Sequence, residues 1–103
     1  MVPVQILIPV RGNDGAEFLP DLHAQFEATL RETFGGWQCL PGLVSGEWVA
    51  GGVVYPDRLR RYVVSVAGMV ADAAKVAEVV AIAKALYGQH AIYVSYLGVN
   101  EIV

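Results

Sequence analysis

Val2, Val4, Ile6, Ile8 and Val10 alternate with Pro3, Gln5, Leu7 and Pro9, the period-two pattern of a strand with one strongly buried face. The two prolines cannot donate to a ladder, which places them at the ends of this first strand, residues 2–10, or on an unpaired side. Arg11-Gly12-Asn13-Asp14-Gly15 has the composition of a loop, and Asp14 with Glu17 three positions on has the spacing of a capping box. Phe18, Leu22, Phe26, Leu30 and Phe34 then recur at steps of four, with Asp21, Gln25, Glu27, Arg31 and Glu32 off that stripe, which predicts an amphipathic helix. Pro20 is tolerated only in a first turn, so the helix is set at 19–34 and Asp14 caps at most a preliminary turn. Gly35-Gly36 stops it. His23 falls on the wet side of this helix and is assigned no role.

Trp37 to Val44 is bulky and apolar around Pro41-Gly42, and Leu59 to Ala67 is rich in valine; these runs predict strands over 37–45 and 59–67. Between them Ser45-Gly46, Gly51-Gly52 and Pro56-Asp57 supply turn residues, so the connection reads as a long hairpin whose tip holds Trp48 and Tyr55. A second helix is expected over 70–87, stopped by Gly88, and a fourth strand over 91–97. Gly98-Val99-Asn100 is a turn signal, and Glu101-Ile102-Val103 adds a short final strand. The order β-α-β-β-α-β in one domain, 1–103, is that of the ferredoxin-like plait, an α+β fold with a four-stranded antiparallel sheet and two helices on one face. Right-handed crossovers leave few other layouts, and the absence of G-x-G-x-x-G after the first strand argues against a dinucleotide-binding fold.

Composition sharpens this picture. The 103 residues are 55% hydrophobic and 17% charged, more apolar surface than a monomer of this size easily hides. Ten acidic against seven basic residues give a net charge of −3, which speaks against nucleic acid as a partner. One cysteine, Cys39, cannot form an internal disulfide, and with two histidines it cannot complete a structural zinc site; Cys39 is read as a small buried hydrophobe. No cofactor fingerprint is present. Met1-Val2-Pro3-Val4 carries no early positive charge and no cleavage site, and the longest uncharged stretch, Ala85 to Asn100, is interrupted by Gly88, Gln89, His90 and Gly98. A cytoplasmic protein that neither is exported nor spans a membrane is the expectation.

Two features point to self-association. The second helix has one apolar face made of Val76, Val80, Ala83 and Tyr87 and another made of Val79, Ile82 and Leu86; the second either widens the core face or meets another subunit. The sheet face without helices is also not clearly polar, because in the fourth strand both Ile92-Val94-Tyr96 and Tyr93-Ser95-Leu97 are largely apolar, and in the third Tyr62-Val64-Val66 alternates with Arg61-Val63-Ser65. A homo-oligomer, preferably a dimer, is expected; a dimer packed sheet to sheet would bury the open sheet face.

Candidate chemistry is sparse. Arg58, Arg60 and Arg61 cluster within four positions, and Arg58 and Arg60 share a face once the strand has begun, where they can grip a carboxylate or phosphate; the plainer reading is a solvated strand end. His90, just after the glycine that ends the second helix, is a general-base candidate or simply a loop histidine. Trp48, Tyr55, Tyr62, Tyr93, Tyr96 and Trp37 can line a pocket, anchor an interface or pack in the core.

The runs Leu30-Arg31-Glu32-Thr33-Phe34-Gly35-Gly36, Gly46-Glu47-Trp48, Tyr62-Val63-Val64 and Gly88-Gln89-His90-Ala91-Ile92-Tyr93-Val94 resemble a pattern in small bacterial ferredoxin-like proteins of unknown function. The resemblance covers about residues 26 to 97 and implies the plait with no catalytic residues to carry over. At the level of element order alone the chain is also similar to dimeric α/β-barrel mono-oxygenases and to nitrogen-regulator-like trimers. Two function classes follow. In the first, a binding or regulatory module presents Trp48, Tyr55, Arg58 and Arg60 on its hairpin to a small anionic ligand or a protein partner. In the second, a cofactor-independent enzyme uses His90 as base, Arg60 to hold an organic anion and Tyr93 as proton donor.

Overall fold

The computed structural model describes residues 1–96 and the backbone of 99–102; Leu97, Gly98 and Val103, which the sequence placed in the last strands and their turn, lie outside the described residues. The element order is β1 (Val2–Pro9), α1 (Pro20–Phe34), β2 (Gln38–Ala50), β3 (Val53–Val66), α2 (Ala73–Tyr87), β4 (Tyr93–Tyr96) and β5 (Val99–Ile102). Five strands form one sheet in the order β2-β3-β1-β4-β5, and every neighbouring pair is antiparallel. The ferredoxin-like plait is therefore present, with β5 added at one edge.

Register assigns the faces. Val4, Ile6 and Ile8 of β1 stand opposite Val64, Tyr62 and Arg60 of β3, while Val4 and Ile6 stand opposite Tyr96 and Val94 of β4. On this face Val4, Ile6, Tyr62, Val64, Val66 and Val94 form one core cluster with Phe26 and Leu30 of α1 and Val76, Val79, Val80, Ala83 and Tyr87 of α2, so both helices cover the same side. The other face carries Leu7, Val63 and Tyr93; Leu7 is buried and the other two half-buried. On α2, Val79 joins the core and Ile82 and Leu86 are half-buried, a face widened toward the sheet and α1.

The helix ends follow the sequence. Pro20 occupies the first turn of α1, where its missing N–H costs nothing, and Gly35 and Gly88 close the two helices in the left-handed conformation at φ 83° and 63°. Asp14 caps no helical turn: its Oδ1 accepts the Ala16 N–H at 3.0 Å, and Arg11 bridges Glu17 across the loop.

The long hairpin between β2 and β3 is present, with its strands extended further than expected. Residues 45–58 are not a loop between strands but a ladder, Ser45↔Arg58 through Ala50↔Val53, closed at Gly51-Gly52 with φ 58° and 77°, the two positive values that a tight hairpin turn matched to strand twist requires. Turn-rich composition misled because this part of β3 lies beyond β1, whose pairing ends at Pro9↔Leu59. With a strand neighbour on one side only, Pro56 and Gly46 are tolerated.

His23 also departs from its expectation, being 7% exposed. Steps of four advance 400° on a helix, so the Phe18-to-Phe34 stripe drifts around α1, and the face that docks is His23, Phe26 and Leu30. His23 Nδ1 lies 2.8 Å from the Tyr87 hydroxyl, and Phe18 packs edge-on against the Tyr87 ring at 5.0 Å. Burial, reinforced by the Arg60 charge and opposed by Glu27, lowers the His23 pKa, so the ring is neutral in the folded protein. Because the unfolded chain takes up this proton at about pH 6.5 and the folded one only below that, the stability that His23 contributes is complete above pH 6.5 and falls as the pH drops toward the folded pKa. Thermal unfolding followed from pH 7.5 to 5.5 will show this loss, and His23→Gln, which keeps a polar partner for Tyr87 without the titration, will flatten it. In the same core, Phe26→Ala will cost about 3–5 kcal/mol in denaturant unfolding, the usual result of emptying a fully buried aromatic site.

Candidate functional site

Charged chemistry gathers where β3 leaves the core. Arg60 stands opposite Ile8 at the far end of the helix-covered face, and α1 brings Glu27 to it. Glu27 lies one turn after His23 and one before Leu30, on the flank of the docking face, which keeps its carboxylate within reach of the sheet. The Tyr62 hydroxyl donates to Glu27 Oε2 at 2.7 Å, and Arg60 Nη2 approaches the same oxygen at 3.4 Å. The Arg60 guanidinium also sits 5.3 Å from the centroid of the Tyr62 ring, within cation–π range, and its Nη2 points to Cys39 Sγ at 3.8 Å. The Arg60 and Glu27 side chains are 30% and 18% exposed, so the pair is only partly screened but too long for a strong ion pair. Burial first, and then the hydrogen bond to Glu27, push the Tyr62 hydroxyl far above its ordinary range; it is a neutral donor here and not a base. Arg60 Nε is buried with no hydrogen-bond partner among the described residues.

Cys39 is half-buried rather than sealed in the core. It stands opposite Tyr62 on the core side, just before the register between β2 and β3 shifts between Leu40 and Val44. The bulge formed by Pro41-Gly42-Leu43 leaves an open hollow of about 380 Å3 whose wall includes Val10, Cys39, Leu40, Leu43 and Arg60.

The register divides the four ligand-binding candidates between two faces. Arg58 and Arg60 share the helix-side parity of β3, as their spacing predicts. Tyr55 and its partner Trp48 take the opposite parity, where their rings stack at 4.7 Å and 21°. Trp48 and Tyr55 are 49% and 43% exposed, and Val49, Val53 and Val54 beside them are more so, so the ribbon beyond the body is apolar on both sides. Asp57 Oδ1 accepts the Arg58 N–H at 2.9 Å; burial raises the Asp57 pKa and this hydrogen bond opposes it.

His90 is exposed in the turn after α2. Tyr93 stands opposite Leu7, on the face without helices. Among the described residues no hydrogen bond or ion pair joins either of them to Arg60, and neither lines the hollow beside it. The sequence reading missed Glu27, His23 and Tyr87. The separation of three and seven positions between His23, Phe26 and Leu30 was the available signal for the first two; nothing local ties Tyr87 to them. Among the described residues no three His, Cys, Asp or Glu side chains converge as metal ligands, and no helix is long and apolar enough to cross a membrane.

No family model matches the chain, and no curated protein matches it in sequence. Its likeness is to folds. A phage SAM lyase in complex with S-methyl-5'-thioadenosine superposes with a TM-score of 0.71 at 9% identity, covering 99% of this chain and 86% of the lyase. The apo state of a phage SAM lyase gives 0.69 at 11% identity over the same shares. The divalent cation tolerance protein CutA1 from Thermus thermophilus gives 0.54 at 17% identity, over 99% of this chain and 79% of that one. The superpositions show a shared small ferredoxin-like fold, and at identities this low they show the fold alone.

Proposed function

We infer that the chain is the subunit of a small homo-oligomeric binding module that takes a small anionic ligand, with the ribbon of β2 and β3 packed against another copy. The observation that carries this reading is the ribbon itself. Two strands alone are marginal in water, and this pair exposes Trp48, Val49, Val53, Val54 and Tyr55 together, a concentration of apolar and aromatic side chains characteristic of an interface. A homo-oligomer covers it with no other partner. Arg58 and Arg60 supply the cationic groups beside it, and a ligand held there is approached from the body and the ribbon at once.

In size-exclusion chromatography with light scattering at micromolar concentration the chain will elute at two or more times its 11.1 kDa. Trp48→Glu combined with Val54→Glu, placing a charge on each face of the ribbon, will shift it to a single chain, because losing a buried aromatic anchor costs an interface about 2–4 kcal/mol. A wild-type mass of one chain rejects the reading.

A second reading, a cofactor-independent enzyme, takes its support from the likeness to the phage SAM lyase over nearly the whole chain. Incubation with S-adenosylmethionine and chromatography for S-methyl-5'-thioadenosine separates the two. Product formed in proportion to enzyme establishes catalysis, and its absence leaves the binding module, for which His90, Arg60 and Tyr93 need no common pocket.

A further inference from the structure

The hollow at the β2 bulge has a wall of one chemical kind and a single charged group. Val10, Leu40, Pro41 and Leu43 make it aliphatic, and among the described residues Arg60 is its only ionic side chain. Of the five N–H groups of a guanidinium, the two on Nη2 face Glu27 and Cys39, and among the described residues Nε is buried without a hydrogen-bond partner and Nη1 makes no hydrogen bond or ion pair. The neighbouring carboxylate does not exhaust this cation: Glu27 stands 3.4 Å away and takes its shorter hydrogen bond, 2.7 Å, from Tyr62. A guanidinium whose Nη1 has unspent donors, beside an apolar wall, selects an anion with an apolar body, since the oxygens meet the Nη1 N–H groups and the hydrocarbon covers the wall. Inorganic phosphate would leave the wall wet, and a neutral molecule of the same shape would leave the donors unmet.

Resting on the reading of this chain as a binding module for a small anion, we propose that the bulge hollow between Val10 and Leu43 is its binding site and that the ligand is a monocarboxylate with a compact hydrocarbon body, its oxygens on Arg60 Nη1. The bulge is what makes the site. Without the shift between Leu40 and Val44, β2 would continue flat against β3 and close the space beside Arg60.

Cys39 reports occupancy, because it lines the hollow and is the one cysteine of the chain. Alkylation of the full chain by the neutral reagent iodoacetamide is timed by mass spectrometry in the presence of benzoate, of benzamide and of inorganic phosphate. At about ten times its dissociation constant benzoate will slow alkylation roughly tenfold, because only the empty fraction reacts, while benzamide and phosphate will leave the rate unchanged. Leu43→Glu places a like charge at the exposed rim and will weaken the protection severalfold. It alters a side chain already 42% exposed, so it tests the site without the loss of folding that removing the partner of Glu27 could bring. Equal protection by benzamide, equal protection by phosphate, full protection in Leu43→Glu, or no protection by benzoate at about 10 mM, where a site with a dissociation constant near 1 mM is about nine-tenths filled, would each overturn the proposal. These outcomes are independent of the mass in solution: a chain that oligomerises yet leaves Cys39 unprotected rejects the pocket and keeps the module.

Discussion

Strand β3 is 14 residues long, whereas β1, its neighbour on the inner side, is 8, and this mismatch governs the rest of the molecule. From Leu59 to Val63 the strand runs between β1 and β2, to Val66 it stays paired with β1, and Tyr62, Val64 and Val66 enter the core. From Val53 to Asp57 it has only β2 to pair with, and the Arg58 carbonyl accepts one further hydrogen bond, from the Val10 N–H at 3.0 Å. Over residues 59–66 the pairing is supported by helices on one face; over residues 53–58 nothing among the described residues covers either face. The exposed valines and the Trp48–Tyr55 stack lie in that uncovered half. Arg60 and the bulge lie at the boundary, where the sheet is still half-covered and β2 has to adjust its register to continue.

That boundary also explains why charge is tolerated so close to the core. Glu27, Arg60 and Tyr62 share one partly buried position, each meeting a partner of complementary kind, and His23 is held neutral against Tyr87 a turn away. A buried carboxylate or guanidinium without such partners would cost more than the packing around it returns. Tyr62 connects the two parts, because its ring packs edge-on against Phe26 at 5.2 Å while its hydroxyl satisfies Glu27. The polar layer thus forms one end of the core and does not interrupt its middle.

Much of the fold was legible because it rests on local periodicities. Strict alternation over Val2 to Val10 defined β1 and its buried face, and Gly35 and Gly88 marked both helix ends where the left-handed conformation is in fact adopted. The errors share one cause, a local signal standing where a longer-range arrangement decides. Glycine and proline between Ser45 and Asp57 signify turns in an average sequence, yet in a ribbon with one neighbour they are compatible with a ladder. A stripe at steps of four precesses around its helix, which hid His23. The separation of Trp48 and Tyr55 from Arg58 and Arg60 depended on extending β3 to Val53, and the placement of Trp48 on the Tyr55 side depended on a bulge that no pattern in β2 announces.

Amide hydrogen exchange of the ribbon, read by mass spectrometry on peptides spanning residues 45–58 at a series of protein concentrations, tests the account at its centre. An uncovered two-stranded ribbon opens readily, whereas one packed against another copy exchanges only when the assembly dissociates. The account predicts slow exchange of this segment at high concentration, and faster exchange on dilution while the core strand β1 stays protected. Fast exchange of residues 45–58 at every concentration, with β1 protected throughout, would contradict it.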